Sequence, residues 1–154
     1  MAFTVLSPLH RATRQVTLWL EHQAAQRGLD LRADEGHALT YITAYAPCPT
    51  GDIQRVLGVS RSTLTSLLDR LCRRQLVERQ PDPQDKRVLL LKPTPAGKRL
   101  AQRMVAVGQE LEAQVLAQIS GRDQAAFTRV MAAIEAATGV TVVDRGASHS
   151  KDER

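Results

Sequence analysis

Aromatic side chains are scarce in this sequence: two phenylalanines, two tyrosines and one tryptophan amount to 3% of its residues. A surface that holds single-stranded nucleic acid by base stacking needs more ring faces than that. Double-stranded DNA, read through hydrogen bonds and charge, does not. Cysteine is nearly absent as well. Only Cys48 and Cys72 occur, which excludes a disulfide scaffold, and the N-terminus shows no signal-peptide pattern. Both points lead to the expectation of a cytoplasmic chain with reduced thiols. No apolar run is long enough to span a bilayer, so no membrane partner is expected. Also missing are a nucleophile elbow, a phosphate loop and any metal-ligand spacing. His10, His22 and His37 share no i, i+4 relation and read as packing or surface residues. The expectation is a non-enzyme with no metal and no cofactor.

What the sequence does have is unevenly placed positive charge. The chain has 154 residues, 43% of them hydrophobic, and a net charge of +5, which suits one compact domain with an acidic partner. Residues 50–103 hold twelve basic and five acidic side chains, a local excess of +7, so the remainder is −2. The positive field belongs to the middle of the chain.

Caps, stops and apolar spacing outline six helices and one hairpin. Ser7-Pro8 reads as a cap and first turn for a helix over 8–27, with Leu9, Ala12, Val16, Trp19, Leu20 and Ala24 at helical spacing and Gly28 as the stop. A second helix is expected over 33–46, ended by Pro47 and Pro49. Thr50 is placed to cap a short third helix facing inward with Ile53, Val56 and Leu57. Gly58 ends it, and Ser60 at once caps a fourth. Two helices separated only by Gly58 and Val59 must turn sharply on each other, which is the helix-turn-helix pattern.

The fourth helix would bury Leu64, Leu67, Leu68 and Leu71 and expose Arg61, Ser62, Thr63, Thr65, Ser66, Asp69, Arg70 and Arg73. Short hydroxyl side chains let a helix backbone approach base edges, and arginines reach phosphates or guanines. Residues 76–80 and 87–91 read as strands joined by a Pro- and Asp-rich turn whose tip carries Lys86 and Arg87. Asp82 and Asp85 would be repelled by phosphate and read as turn-formers or as partners of Arg87. Thr94-Pro95 starts a long helix over 95–119, Ser120-Gly121 breaks it, and a last helix ends near Gly139. The polar segment 144–154 reads as a disordered tail. The fold expected is mainly α with a small β-hairpin wing.

The stretches GVSRSTLTSLLDRL, LVERQPDPQDKR and LKPTPAG, in this order and spacing, resemble the MarR family of bacterial transcription regulators. The resemblance implies a single domain over 1–143, with a winged helix-turn-helix lobe at 30–97 and dimerisation helices at 7–28 and 95–139. It implies a homodimer that binds a near-palindromic double-stranded operator, with a recognition helix in the major groove and a wing in the minor groove. It also implies a repressor released by a small-molecule effector. The DNA-binding candidates are Arg61, Ser62, Thr63, Thr65, Ser66, Arg70, Arg73, Lys86 and Arg87, with Arg70 as a phosphate anchor. The ring-bearing candidates for an effector pocket are Trp19, His22, Tyr41 and Tyr45.

The sequence departs from the family pattern at three places. Gln75 stands where glycine is common, Gln84 where arginine is common, and Lys92-Pro93-Thr94 should end the second strand early. Two alternatives stay open: a winged helix that binds only a protein partner, and a thiol-oxidation sensor that uses Cys48.

Overall fold

The computed structural model describes residues 3–139; the tail expected over 144–154 lies outside the described residues. Helix α1 (Leu6–Gln26) starts two residues before the expected proline. Val5 is its N-cap and no side chain caps it, so the serine cap assigned to Ser7 is not made. Pro8 is tolerated in the first turn, where its missing N–H is not required. Helix α2 (Ala33–Tyr45) is closed at its start by Glu35, whose carboxylate accepts the Arg32 N–H at 3.2 Å.

Between Pro47 and α3 the chain forms a two-residue strand, β1 (Cys48–Pro49), where the sequence marked only the end of the second helix. Helix α3 (Thr50–Leu57) follows directly, with Pro49 as its N-cap. Thr50 is therefore not the cap expected. Its hydroxyl donates instead to the Leu89 carbonyl at 3.1 Å and ties α3 to the hairpin. Gly58 ends α3 at φ +62°, the left-handed conformation that glycine reaches without steric penalty. Ser60 then caps helix α4 (Arg61–Arg73), accepting the Thr63 N–H at 3.2 Å.

Strands β2 (Val77–Pro81) and β3 (Leu89–Pro93) pair antiparallel, and β1 pairs with the other edge of β3. The second strand does not end early. It runs through Pro93, which lies opposite Val77. The neighbouring bond from the Thr94 N–H to the Leu76 carbonyl, 3.0 Å, makes residues 76 and 94 the hydrogen-bonded pair. Alternation then makes Val77–Pro93 a non-bonded pair that needs no donor from proline.

The Thr94 side chain serves two elements at once. It caps helix α5 (Pro95–Leu116) by accepting the Gly97 N–H at 3.0 Å, and it donates to the Gln75 carbonyl at 2.7 Å. Gly97 is packed so closely that a Cβ there would lie 2.0 Å from the Leu76 carbonyl oxygen. Helix α6 (Gly121–Thr138) closes the described chain, capped by the Ser120–Asp123 box.

The main core joins α2, α3, α4 and the sheet. Leu39, Ile42, Ile53, Leu67, Leu71 and Leu91 are fully buried in it. A second cluster, of Ala24, Leu29 and Val107, fastens α1 to α5. Helix α6 buries no residue, and Phe127 and Val130 on it are exposed. Helix α5 ends at Leu116, short of the expected residue 119, and Val115 and Leu116 at its end and Ile119 beyond it are exposed too.

Helix α4 is clamped to α2 by ions. The buried Glu35 carboxylate accepts Arg70 Nε at 2.6 Å and Arg74 Nη1 at 3.4 Å, and Asp34 accepts Arg70 Nη2 at 3.2 Å. Burial alone would raise the Glu35 pKa. The Arg70 and Arg32 hydrogen bonds and the charges of Arg70 and Arg74 outweigh it and hold the carboxyl below its ordinary value of 4.5. A folded-state pKa below the unfolded value contributes stability above about pH 4.5, and that contribution fades as pH falls through the folded value. Glu35→Gln is expected to lower unfolding stability at pH 7 by about 2 kcal/mol, the scale of a hydrogen bond to a charged group. The gap to the unsubstituted protein should narrow below about pH 4.5. Urea titrations at pH 7 and pH 3.5 measure both, and an equal gap at the two pH values would exclude this assignment.

Gln75 sits at φ +55°, so the turn between α4 and β2 does adopt the left-handed backbone. That conformation costs a non-glycine residue about 1 kcal/mol. After the greater freedom of glycine in the unfolded chain is offset, Gln75→Gly should stabilise the fold by roughly 0.5 kcal/mol. A melting temperature that does not rise would show that the glutamine side chain compensates.

Candidate nucleic-acid interface

The exposed end of α4 is a patch of hydroxyls. Ser60 Oγ lies 3.0 Å from Ser62 Oγ and 2.8 Å from Thr63 Oγ1, and Thr65 Oγ1 donates to the Arg61 carbonyl at 2.9 Å. Arg61, Ser62, Thr63, Thr65 and Ser66 are all exposed. The sharp turn at Gly58 and the four leucines buried beneath fix which side of α4 faces out.

The wing tip is shaped by its two aspartates. Asp82 Oδ1 accepts the Gln84 N–H at 2.7 Å, and Asp85 Oδ1 accepts the Arg87 N–H at 2.9 Å. Both carboxylates hold the loop backbone, in keeping with the turn-forming reading. Lys86 and Arg87 are exposed, and among the described residues neither guanidinium nor ammonium there has a carboxylate partner.

Helix and wing meet over one groove. Arg61 and Thr65 of α4, Arg79 of β2 and Arg87 of the wing line it together with Thr50 and Gln54 of α3. Arg79 is held there by Asp69 at 2.8 Å. Sequence reasoning missed Arg79, Thr50 and Gln54. Strand alternation could have flagged Arg79, but no local pattern ties α3 to the hairpin.

Two arginine assignments change. Arg70 is committed to Glu35 and Asp34, so the phosphate anchor expected of it is corrected to an internal brace. Arg73 is exposed but lies outside the groove, its Nε donating to the Asp69 carbonyl at 3.3 Å within its own helix. Ser62, Thr63, Ser66 and Lys86 stand exposed beside the groove without lining it.

A second concavity, a cavity of about 500 Å³, lies between α1, α2 and α5, with Phe127 of α6 at its side. None of the expected ring residues lines it. Trp19 packs on the Ala24–Leu29–Val107 cluster, and His22 pairs with Gln26 at 2.9 Å. Tyr41 and Tyr45 pack on the main core with ring centroids 4.6 Å apart. The cavity wall is formed from the apolar stripe of α1 itself, Leu9, Ala12, Val16, Leu20 and Ala24, which the sequence showed only as an apolar helix face.

Cys48 is 2% exposed, and burial, with the nearby Asp52 charge, pushes its thiol up to about 11. Burial also raises the Cys72 thiol. A thiolate is the form that oxidants attack, so the reading of Cys48 as an oxidation sensor is corrected: it is a core residue. Among the described residues no helix is long and apolar enough to cross a membrane.

Residues 31–89 match the model of the MarR family. The multiple antibiotic resistance protein MarR of Escherichia coli is 35% identical over 88 residues, 56% of this chain and 61% of that protein. The chain spans about three fifths of that relative's length in the match, and about half the length of others. Among solved structures, the Staphylococcus aureus MepR–DNA complex superimposes with a TM-score of 0.79 at 22% identity, over 88% of this chain and 99% of that one. A cysteine-to-serine mutant of Escherichia coli MarR complexed with operator DNA gives a TM-score of 0.73 at 26% identity, over 83% and 91%. With the helix-turn-helix, the wing and the flanking helices in this order, the chain matches the MarR family of winged helix-turn-helix transcriptional regulators over residues 31–89.

Proposed function

We propose that the protein is a sequence-specific double-stranded DNA-binding regulator, a cytoplasmic repressor that releases its operator when a small molecule binds. The observation that carries this is the shared groove, where the recognition helix and the wing present Arg61, Thr65, Arg79 and Arg87 on one concave face. Hydroxyls at the start of α4 suit base edges in the major groove, and the free Arg87 suits the narrow, electronegative minor groove. The Escherichia coli relative crystallised with operator DNA supports the same use of this fold. A winged helix that binds only a protein would expose an apolar patch where this one has arginine and hydroxyl groups.

The unit that binds is a homodimer. The end of α5, the segment after it and helix α6 leave Leu116, Ile119 and Val130 exposed among the described residues, and a second copy would cover them. A two-fold dimer that sets its recognition helices about 34–36 Å apart reads a near-palindrome. The cavity between α1, α2 and α5 lies where the dimerisation helices meet the DNA-binding lobe, which is the place for an effector.

Arg87→Ala and Arg61→Ala should each lower operator affinity and reduce the slope of log affinity against log salt by about one unit. Arg70→Ala should instead lower folding stability and leave the slope unchanged. Fluorescence anisotropy across a salt series separates the three, and a slope altered only by Arg70→Ala would reverse the assignment. The double substitution Leu116→Asp with Val130→Asp should yield monomers in sedimentation velocity. An unchanged dimer would remove α5 and α6 from the interface.

A further inference from the structure

We infer that the cavity between α1, α2 and α5 selects an apolar cation, a hydrocarbon body ending in an ammonium group, and rejects the corresponding carboxylate. The inference rests on the effector reading above and gives it a ligand chemistry. The observation behind it is the cavity's inventory of donors and acceptors.

Among the described residues, no lysine or arginine lines the cavity; its ionisable side chains are Glu21 and His37. Three threonines face it, and each hydroxyl proton is already committed to its own helix. Thr13 donates to the Leu9 carbonyl at 3.0 Å, Thr17 to the Thr13 carbonyl at 3.0 Å, and Thr40 to the Gly36 carbonyl at 2.9 Å. With the protons so placed, those oxygens offer lone pairs to a ligand.

The start of α2 is the other place where an anion could settle, because a helix N-terminus offers free N–H groups. Here it is filled by carboxylates of the protein. Glu21 accepts the Ala33 N–H at 3.4 Å, Glu35 the Arg32 N–H at 3.2 Å, and Asp34 the Glu35 N–H at 3.0 Å. An incoming carboxylate would find no lysine or arginine among the described lining residues, only the single imidazole of His37, and would be set beside Glu21. An ammonium meets the Glu21 charge and a row of acceptors, while its hydrocarbon lies on Val16, Leu20, Met104 and Phe127. A cavity of about 500 Å³ is of the size that holds drug-like ligands.

The test uses three probes with one body and different heads: 4-phenylbutylamine, 4-phenylbutanol and 4-phenylbutyrate. Each is titrated calorimetrically into the full-length protein at pH 7. The amine should bind at least tenfold more tightly than the acid, with the alcohol between them. Glu21→Gln should bring the amine level with the alcohol, and Glu21→Asp, which keeps the charge, should preserve the preference. Circular dichroism checks that both variants fold. Equal or tighter binding of the acid, or an amine preference that survives Glu21→Gln, overturns the inference and leaves the effector cavity standing. An amine preference that depends on Glu21 but releases no DNA, from a duplex selected out of a random pool, upholds the inference and sinks the effector reading. Binding by none of the three overturns both.

Discussion

The architecture depends on one buried carboxylate. Glu35 closes the first turn of α2 and at the same time accepts Arg70 and Arg74 from the far half of α4. Removing a carboxylate from water is costly unless its bonds are complete. Here Asp34 and Asp30 complete the set around the two guanidinium groups. The clamp therefore holds the exposed face of α4 at a defined angle to α2. The Gly58 turn and the four buried leucines of α4 determine which residues face out. Glu35 determines where that face points relative to the rest of the lobe.

The charge of the chain divides by task. Arg70, Arg74 and Arg79 are paired with acidic side chains and hold elements together. Arg61 and Arg87 are exposed, and both open on the groove. The local excess of +7 is consequently an overestimate of what a DNA phosphate would meet. Part of it is neutralised inside the lobe before any ligand arrives.

This division explains what was legible in the sequence. The Ser60 cap, the Gly58 stop and the leucine stripe are local, and the structure repeats them within a residue or so. The strained turn at Gln75 was also local, a single residue type at a position that needs left-handed backbone. Arg70 was misread because its partner lies 35 residues earlier and no pattern within α4 reports it. Strand β1 was missed because two residues beside prolines form a strand only when Leu90 and Leu91 supply the other edge. The rings named as pocket candidates pack elsewhere, and the cavity is walled largely by aliphatic residues of α1. An apolar stripe on α1 looks the same in sequence whether it meets a core or an open space.

Thr94 joins the wing base to α5 through one hydroxyl, and Gly97 lets the two pack backbone to backbone. Wing and helix are thereby welded into a lever. A helix of 22 residues is about 33 Å long, so a tilt of about 5° at its C-terminal end carries the other end through about 3 Å, close to the rise of one base step along a strand. In the dimer proposed above, a rearrangement too small to disturb either core would therefore be large enough to put two recognition helices out of phase with the double helix.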